Sequence, residues 1–474
     1  MGGEARPPVV RLRSPAAPRP GRPGQRELSL LRGGPGSARR RDPASGCFVS
    51  DFVDVLVAFV VMSVVNAFIV RRIKHVLPGD EGVSLARVYV WTLVLRFALA
   101  CFLNMYAGQT AFAVMFWGDS ATYDDGGWLM SLQWNGQGIL NPYYSGKVSG
   151  WGFFYLISSI YYVFGHNQLL AQLVNATIGA LTVIVIYAIA KDLFDAEVAQ
   201  WSARFMAFFP QMVFWSGAIY KDPIIMLCIA LCMYAVVKLN HEFTLRYVLL
   251  FVGASLALMT LRFYVFYFVA FATMGTFVLS QRRGVAASVG SYVVLIAVFI
   301  GAFSFAAKQE TVEQQRSYFT LERLQITRSD QAMWGQSAYA PKADVSTTQG
   351  VLSVLPVGLT YLLFAPFPWA VHNLRQALTV PETIVWYALM PALVRGLLHT
   401  IRTRFRPALP ILVFAASLTC AYAVFQGNVG TAYRQRTQVT MFYFILMAAG
   451  VVEKKRRAQE RAQPALGTPA FQAP

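Results

Sequence analysis

Charged side chains are scarce in this sequence, and their scarcity excludes most soluble folds. Only 14% of the 474 residues are Asp, Glu, Lys or Arg, whereas a soluble globular protein carries roughly 25%. Hydrophobic residues make up 56% of the chain, and the mean hydropathy is +0.46. Most of the protein surface therefore does not need to be wetted, and we predict an integral membrane protein.

Signs of a metal or nucleotide site are also few. Four of the five cysteines lie inside apolar runs, and Cys228 and Cys232, one helical turn apart, are expected to pack in the protein interior. The five histidines lack the spacing of metal ligands. We predict no metal site from these residues, and a divalent cofactor is left open. No glycine-rich loop that could hold the phosphates of a nucleotide is present.

What the sequence does contain is a series of apolar runs, several of them long enough, at about 20 residues, to cross a bilayer. We predict an all-α polytopic membrane protein with about 11 transmembrane helices. The segment 351–369 is apolar but broken at Pro366 and Pro368, so we expect a helix in the membrane interface there, with a further span as the alternative. The predicted spans lie at roughly 52–70, 87–116, 168–190, 198–215, 223–239, 246–261, 264–281, 287–306, 383–398, 408–425 and 437–452.

The basic residues indicate how these helices are oriented. The net charge of +18 comes mainly from short loops between apolar runs and from the two ends of the chain. This distribution argues against a nucleic-acid partner and follows the excess of Lys and Arg in cytoplasmic loops. If the basic loops are cytoplasmic, the segments on the outer face are 118–167, 216–222, 262–263, 307–382 and 426–436.

Three regions follow from this organisation. Residues 1–46 are rich in proline and arginine and are predicted to be disordered. The orientation above would place them outside, against the charge rule, so either the first helix is irregular or the gene start is over-extended. Residues 47–452 form the transmembrane domain, with long outer loops at 118–167 and 308–382, the second partly helical around 312–328. Residues 453–474 form a basic cytoplasmic tail.

Carboxylates gather where the second predicted helix reaches the outer face. Asp119, Asp124 and Asp125 lie within seven positions, and such charges are costly beside a membrane unless they are solvated or used. A carboxylate there can take a proton from an acceptor hydroxyl or amine. Asp119 is the candidate general base, while Asp124 and Asp125 either bind substrate or cap the next helix.

Other charged residues are expected at the same face. Asp222 and Pro223 are typical of a helix start, but the predicted topology places Asp222 near Asp119. Arg434 and Arg436 break the positive-inside trend and are candidates for binding an anion, with snorkelling to the interface as the alternative. Lys221 and Arg262 also emerge at this face, whereas Arg96 and Arg204 lie inside apolar runs and either pair with an acid or reach the cytoplasmic interface.

In this order, these motifs resemble the polyprenyl-phosphate-sugar-dependent glycosyltransferases of the GT-C fold, a group that includes protein O-mannosyltransferases and aminoarabinose transferases. The resemblance covers roughly residues 87–280 and, less fully, 350–450. Asp119 and Tyr123 fit the family's acidic first outer loop, although Ser120 replaces a glutamate, which puts any metal role of that pair in doubt. Further similar segments are 153–165, 168–194, 209–222 and 260–262.

The resemblance implies an inverting sugar transfer on the extracytoplasmic face of the inner (plasma) membrane. The donor would be a polyprenyl-phosphate sugar, and the acceptor a lipid, a glycan or a protein. Residues 47–452 would be the glycosyltransferase domain, with 118–167 as its catalytic loop. Asp119 would act as the base, and the substrate-binding residues would be Tyr123, Asp124, Asp125, Lys221, Asp222, Arg262, Arg434 and Arg436.

Two other functions are compatible with the same helices. A flippase or transporter of a lipid-linked sugar would also need many helices and intramembrane arginines, but no internal repeat is visible and the charges gather at one face. An O-antigen ligase or polymerase would place its polar residues in a late outer loop, for which 308–350 is available. A purely structural protein would leave the acids and arginines without a use.

Overall fold

The structure is a computed structural model, and it describes residues 47–106, 112–137, 150–280, 301, 319–334, 337–340, 343–371 and 374–462. The predicted tail at 1–46 and, apart from Gly301, the predicted helix at 287–306 lie outside these residues. Asp54–Pro474 form one compact unit, and its largest buried cluster contains side chains of the helices named below as α5, α8, α9, α13 and α14.

The described part of the chain is helical and contains no strand. Helices α1 to α14 are Cys47–Val76, Asp80–Tyr106, Phe112–Trp134, Trp151–Phe164, Gln168–Leu193, Ala196–Phe208, Pro210–Phe214, Asp222–His241, Leu245–Ser280, Leu321–Trp334, Thr348–Phe364, Leu374–Thr403, Phe405–Phe425 and Val429–Ala462.

Seven segments of the described chain are long and apolar enough to cross a membrane. They confirm the predicted class, an all-α multi-pass membrane protein. The predicted number of 11 spans is not confirmed. The run 198–215 is divided between the short helices α6 and α7, the runs 246–261 and 264–281 fall in one candidate span, and the run 437–452 in α14 is not among the seven. The seven are Phe52–Val76, Asp80–Met105, Gln168–Leu193, Asp222–His241, Leu245–Phe277, Gln376–Thr403 and Phe405–Phe425.

Helix α9 is broken at Arg262, whose backbone is extended (φ −157°, ψ 81°). Before the break, Ser255 Oγ lies 3.5 Å from Cys232 Sγ of α8. After it, the ring of Tyr264 packs against that of Tyr422 in α13, with 6.5 Å between centroids. The two halves of α9 therefore pack on different helices. The helix is interrupted at the predicted position, but Leu245–Phe277 counts as one candidate span where the sequence predicts two.

Arg96 lies in α2 and is completely buried. Its Nη1 donates to the carbonyl of Ala207 at 2.9 Å, and its Nη2 donates to the carbonyl of Met206 at 3.4 Å. Both carbonyls lie just before Pro210, which has no N–H and interrupts the helix between α6 and α7. Arg96 thus satisfies backbone acceptors left by a helix break. Neither predicted alternative holds for this arginine: it does not pair with an acid, and it does not reach the cytoplasmic interface.

Helix α3 occupies the first half of the predicted outer loop at 118–167. The chain is helical on both sides of Gly118, which has a non-helical backbone (φ 13°, ψ −114°). The helix continues through Gly127 because this glycine lets α3 approach α4 closely. A Cβ at Gly127 would lie 2.5 Å from Ile157 Cγ2, and the Ser158 hydroxyl donates to the Gly127 carbonyl at 2.9 Å.

The late outer segment contains two helices. α10 begins at Leu321 and continues beyond the predicted end at 328. Arg328 on α10 is buried and donates from Nη1 to the carbonyls of Val424 and Gln426 at the end of α13, so α10 is tied to the loop that leads into α14. The apolar helix α11 has 17 residues and ends before Pro366, where the sequence predicts the interruption.

Candidate active site

Side chains from four distant parts of the sequence meet at one end of the helical bundle. Asp119 follows the kink in α3, Asp222 begins α8, Arg262 occupies the break in α9, and Arg434 lies in the second turn of α14. We call these four residues the ion cluster. Asp119 and Arg434 are 315 residues apart in the sequence and form an ion pair.

Asp222 lies at the centre of the ion cluster and is completely buried. Its Oδ2 accepts from Arg434 Nε at 2.7 Å and lies 2.6 Å from Arg434 Nη2. Its Oδ1 lies 3.6 Å from Arg262 Nη2. A buried carboxylate needs such partners because its desolvation is not otherwise compensated, so Asp222 fixes the two arginines relative to each other.

Arg434 joins Asp222 to Asp119. Its Nη1 lies 2.5 Å from Asp119 Oδ2, and the Asp119 side chain is 58% exposed. The guanidinium lies 5.2 Å from the ring centroid of Trp215 and 4.7 Å from that of Tyr220, within cation–π range. Burial alone would lower the pKa of Arg434, but the carboxylates of Asp222 and Asp119 outweigh it and raise the pKa, so the arginine remains charged.

Lys221 and Tyr123 lie beside the ion cluster. The Lys221 ammonium is 5.9 Å from the ring centroid of Tyr123, which packs edge-to-face on Phe153 at 4.9 Å. Burial, together with the positive charge of Arg262, lowers the pKa of Lys221 to about 7. Lys221 is therefore a cation whose charge changes near neutral pH.

The balance of charge favours binding of an anion. Lys221, Arg262 and Arg434 can supply three positive charges against the two carboxylates of the ion cluster. Three buried donors of these side chains, Arg262 Nη1, Arg434 Nη2 and Trp215 Nε1, have no hydrogen-bond partner. Unpaired buried N–H groups of this kind are costly, and an oxyanion that reached them would supply acceptors.

Ser120 stands where the resembling family has an acid. Its side chain is buried, and its Oγ accepts from the backbone N–H of Ile219 at 3.1 Å, which ties α3 to the segment before α8. Within the described residues, no group of three or more His, Cys, Asp or Glu side chains could hold a metal ion.

Asp124 and Asp125 lie outside the ion cluster. Asp124 is buried and accepts from the Tyr161 hydroxyl and from Gln168 Nε2 at 3.1 Å, with His166 Nε2 at 3.2 Å. These contacts anchor α3 to α4 and α5. Asp125 is exposed, and partial desolvation and then Asp124 raise its pKa. Both residues lie inside α3, so they do not cap the next helix.

Arg436 also lies outside the ion cluster. It is almost completely buried, and its Nη1 donates to the carbonyls of Leu363 at 3.0 Å and of Leu362 and Ala365 at 3.3 Å. These carbonyls are at the end of α11, where a helix has no intrahelical partners for them. The geometry gives Arg436 a structural contact, and the predicted role in donor binding stays a prediction.

Trp215 and Tyr220, whose rings face Arg434, are not among the predicted site residues. The sequence signal available for them is two aromatic residues within the seven positions before Asp222. That signal is weak, because aromatic residues are common at membrane interfaces without any ligand.

Comparison with known proteins supports the resemblance. The profile of the family described as dolichyl-phosphate-mannose-protein mannosyltransferase matches residues 149–306, a stretch that contains Lys221, Asp222 and Arg262. No curated protein matches the chain in sequence.

Two solved structures are similar to this chain at low sequence identity. ArnT from Cupriavidus metallidurans, bound to undecaprenyl phosphate, has 14% sequence identity and a TM-score of 0.49, covering 74% of this chain and 62% of that one. The archaeal oligosaccharyltransferase AglB from Archaeoglobus fulgidus, in complex with an inhibitory peptide and a dolichol-phosphate, has 14% identity and a TM-score of 0.47, covering 80% of this chain and 52% of that one.

The chain thus spans between about half and three fifths of the length of these two proteins. It is a multi-pass membrane protein. The family profile confirms the predicted resemblance over residues 149–306.

Proposed function

We propose that the protein is a membrane glycosyltransferase that transfers a sugar from a polyprenyl-phosphate donor to an acceptor, with inversion at the anomeric carbon. The ion cluster is the observation that supports this most, because it combines an exposed carboxylate with buried cations at one end of a membrane bundle. The family profile includes two of its members, Asp222 and Arg262.

In the proposed reaction, Asp119 takes the proton of an acceptor O–H or N–H group. The acceptor atom then attacks the anomeric carbon from the side opposite the phosphate. The bond between that carbon and the phosphate oxygen breaks, and its electron pair goes to the oxygen. The products are the glycosylated acceptor, the polyprenyl phosphate and a proton that leaves Asp119 for water.

The cations would stabilise the charge that develops on the leaving phosphate. Arg434 and Arg262 are held in place by Asp222, so they need not reorganise during the reaction, which is the condition for effective electrostatic catalysis. Lys221 adds a third positive charge. We assign no metal to this site because both carboxylates of the ion cluster face arginines, an unfavourable setting for a divalent cation.

The extracytoplasmic face is the proposed side for this chemistry. α14 continues for 22 residues from Arg434 to Arg456, about 33 Å at 1.5 Å per residue, and this matches the hydrocarbon thickness of about 30 Å. At that far end, Lys455 and Arg456 pair with Glu197 and Asp195. The basic cluster there supports a cytoplasmic location for that end and an outer location for the ion cluster.

The test is transfer or release of sugar from a radiolabelled polyprenyl-phosphate sugar by the purified protein. We expect turnover by the wild type and none by Asp119→Asn, which folds normally because Asp119 is exposed. Asp344→Asn, in an exposed turn near α10, is the matched control and should turn over like the wild type. Normal turnover by Asp119→Asn would remove the base from the proposal. Donor binding without turnover in any variant would favour a transporter, and flipping in liposomes would then be measured.

A further inference from the structure

We propose that the Asp119 carboxylate occupies the place at Arg434 that the donor phosphate takes, so that donor binding displaces the base from its ion pair. This inference rests on the proposed function and adds to it how the site is activated. The donor phosphate and the Asp119 carboxylate would bind the same nitrogen, Arg434 Nη1. Asp119 is free to accept a proton only when the phosphate occupies that nitrogen.

The contacts of Arg434 show why there is competition. Its Nε and Nη2 face Asp222 Oδ2, and its Nη1 faces Asp119 Oδ2. All three guanidinium nitrogens are therefore directed at carboxylates. Arg434 Nη2 is buried and has no hydrogen-bond partner, so a phosphate that approaches from solvent meets Nη1, the nitrogen that the exposed Asp119 occupies.

Burial decides which acid is replaced. Asp222 is completely buried, and separating it from the arginines would leave an uncompensated charge in the protein interior. The Asp119 side chain is 58% exposed, so water can solvate its carboxylate as soon as the ion pair opens. Asp119 is thus the exchangeable partner of Arg434, and Asp222 is the permanent one.

The surroundings give a phosphate contacts that the carboxylate does not use. Arg262 Nη1 and Trp215 Nε1 are buried donors without a hydrogen-bond partner; Arg262 pairs with Asp222, and the ring of Trp215 faces Arg434. Phosphate has more acceptor oxygens than a carboxylate and forms strong hydrogen bonds with guanidinium groups. The exchange therefore adds hydrogen bonds to the phosphate and breaks only the ion pair between Arg434 and Asp119, in which the Asp119 side chain is 58% exposed.

The backbone lets Asp119 move alone. Gly118 directly before it has a non-helical conformation, and a Cβ at Gly118 would meet no atom within 4 Å. The next turn of α3 is fixed, since Ser120 accepts from Ile219 and Tyr123 packs on Phe153. A rotamer change at Asp119 is enough to release its carboxylate.

In the ion pair, the Asp119 oxygen that faces Arg434 is occupied. Donor binding would free that carboxylate to accept a hydrogen bond and then the proton of the acceptor. The inference therefore predicts that donor binds before acceptor and that Asp119 opposes donor binding although it is required for the reaction.

The experiment measures the Kd of polyprenyl monophosphate for full-length protein in nanodiscs, a probe that needs no chemistry. We compare wild type, Asp119→Asn, Asp119→Ala and Asp344→Asn. Both Asp119 variants should bind more tightly than wild type, by roughly fivefold, the order expected when a partly exposed ion pair no longer competes. Asp344→Asn removes one negative charge from an exposed turn and should bind like wild type, which controls for net charge.

Unchanged or weaker binding by both Asp119 variants would overturn the exchange, even if wild type binds the lipid and turns over. Equal tightening in Asp344→Asn would also overturn it, because the effect would then come from net charge. Failure of wild type to bind polyprenyl monophosphate would instead remove the proposed function, and the exchange with it.

Discussion

Substitution of Asp222 by asparagine tests whether a buried carboxylate organises the site. Asparagine keeps the shape of the side chain but removes its charge. Two buried guanidiniums, of Arg262 and Arg434, would then repel each other, with only the exposed Asp119 to balance them. Removing one partner of a buried ion pair costs about 3–5 kcal/mol, and we expect Asp222→Asn to lower the free energy of unfolding by that amount.

The assay is unfolding of the purified protein in detergent, followed by tryptophan fluorescence. Glu242→Gln is the control, because Glu242 forms an ion pair with Arg246 in which the side chains are 60% and 66% exposed. Exposed pairs of this spacing contribute only about 0.3–0.5 kcal/mol. The two variants make the same chemical change, so their difference reports the burial of Asp222.

A double-mutant cycle measures the interaction energy between Asp222 and Arg262. Asp222→Asn combined with Arg262→Gln should be less destabilised than the sum of the single variants, because the second change removes one of the uncompensated charges. A loss below about 1 kcal/mol for Asp222→Asn, or strict additivity in the cycle, would refute the idea that Asp222 holds the arginines by charge.

Two further predictions concern the neighbours of the ion cluster. Lys221, with its pKa near 7, should be about 90% charged at pH 6 and about 10% charged at pH 8. Donor affinity should therefore fall from pH 6 to pH 8 in wild type and stay flat in Lys221→Met. An equal pH dependence of donor affinity in both proteins would contradict the role of Lys221. Since its folded pKa lies below its unfolded value of 10.5, the same group should make the protein more stable as pH rises from about 7 to 10.5. Arg436→Lys keeps the charge but loses the Nη1 group that donates to the carbonyls at the end of α11. It should lower the free energy of unfolding by about 1–3 kcal/mol while changing donor Kd much less. A larger effect on Kd than on stability would restore Arg436 as a donor contact.

The proximity of Asp119, Asp222 and Arg262 can be predicted from the sequence. Each lies at the end of an apolar run, and the distribution of basic loops places those ends on one side. Their exact partners cannot be predicted in this way. Arg434 and Arg436 look equivalent in the sequence, yet two residues along a helix are separated by about 200° around its axis. One therefore faces the ion cluster and the other faces the end of α11.

Other differences from the sequence analysis have equally local causes. Glycines at 126 and 127 suggest a loop, but close packing of Gly127 against α4 keeps them in a helix. Arg96 has no predictable partner, because its partners are backbone carbonyls and every residue has one. The run 198–215 is apolar enough for a span, but Pro210 divides it. Hydropathy finds the apolar segments, and single prolines and glycines determine where helices break or touch.

The hydrogen bonds of Arg96 impose an order on biosynthesis. The carbonyl of Ala207 lies 111 residues after Arg96 in the chain, and at about 5–20 residues per second this stretch takes on the order of 6–22 s to synthesise. During that interval α2 carries an uncompensated charge, which costs about 2.5–3.5 kcal/mol when it enters the membrane. The ribosome must therefore deliver α6 before α2 reaches its final stability, so α2 matures only after a stretch of chain that includes α3, α4 and α5 has been made.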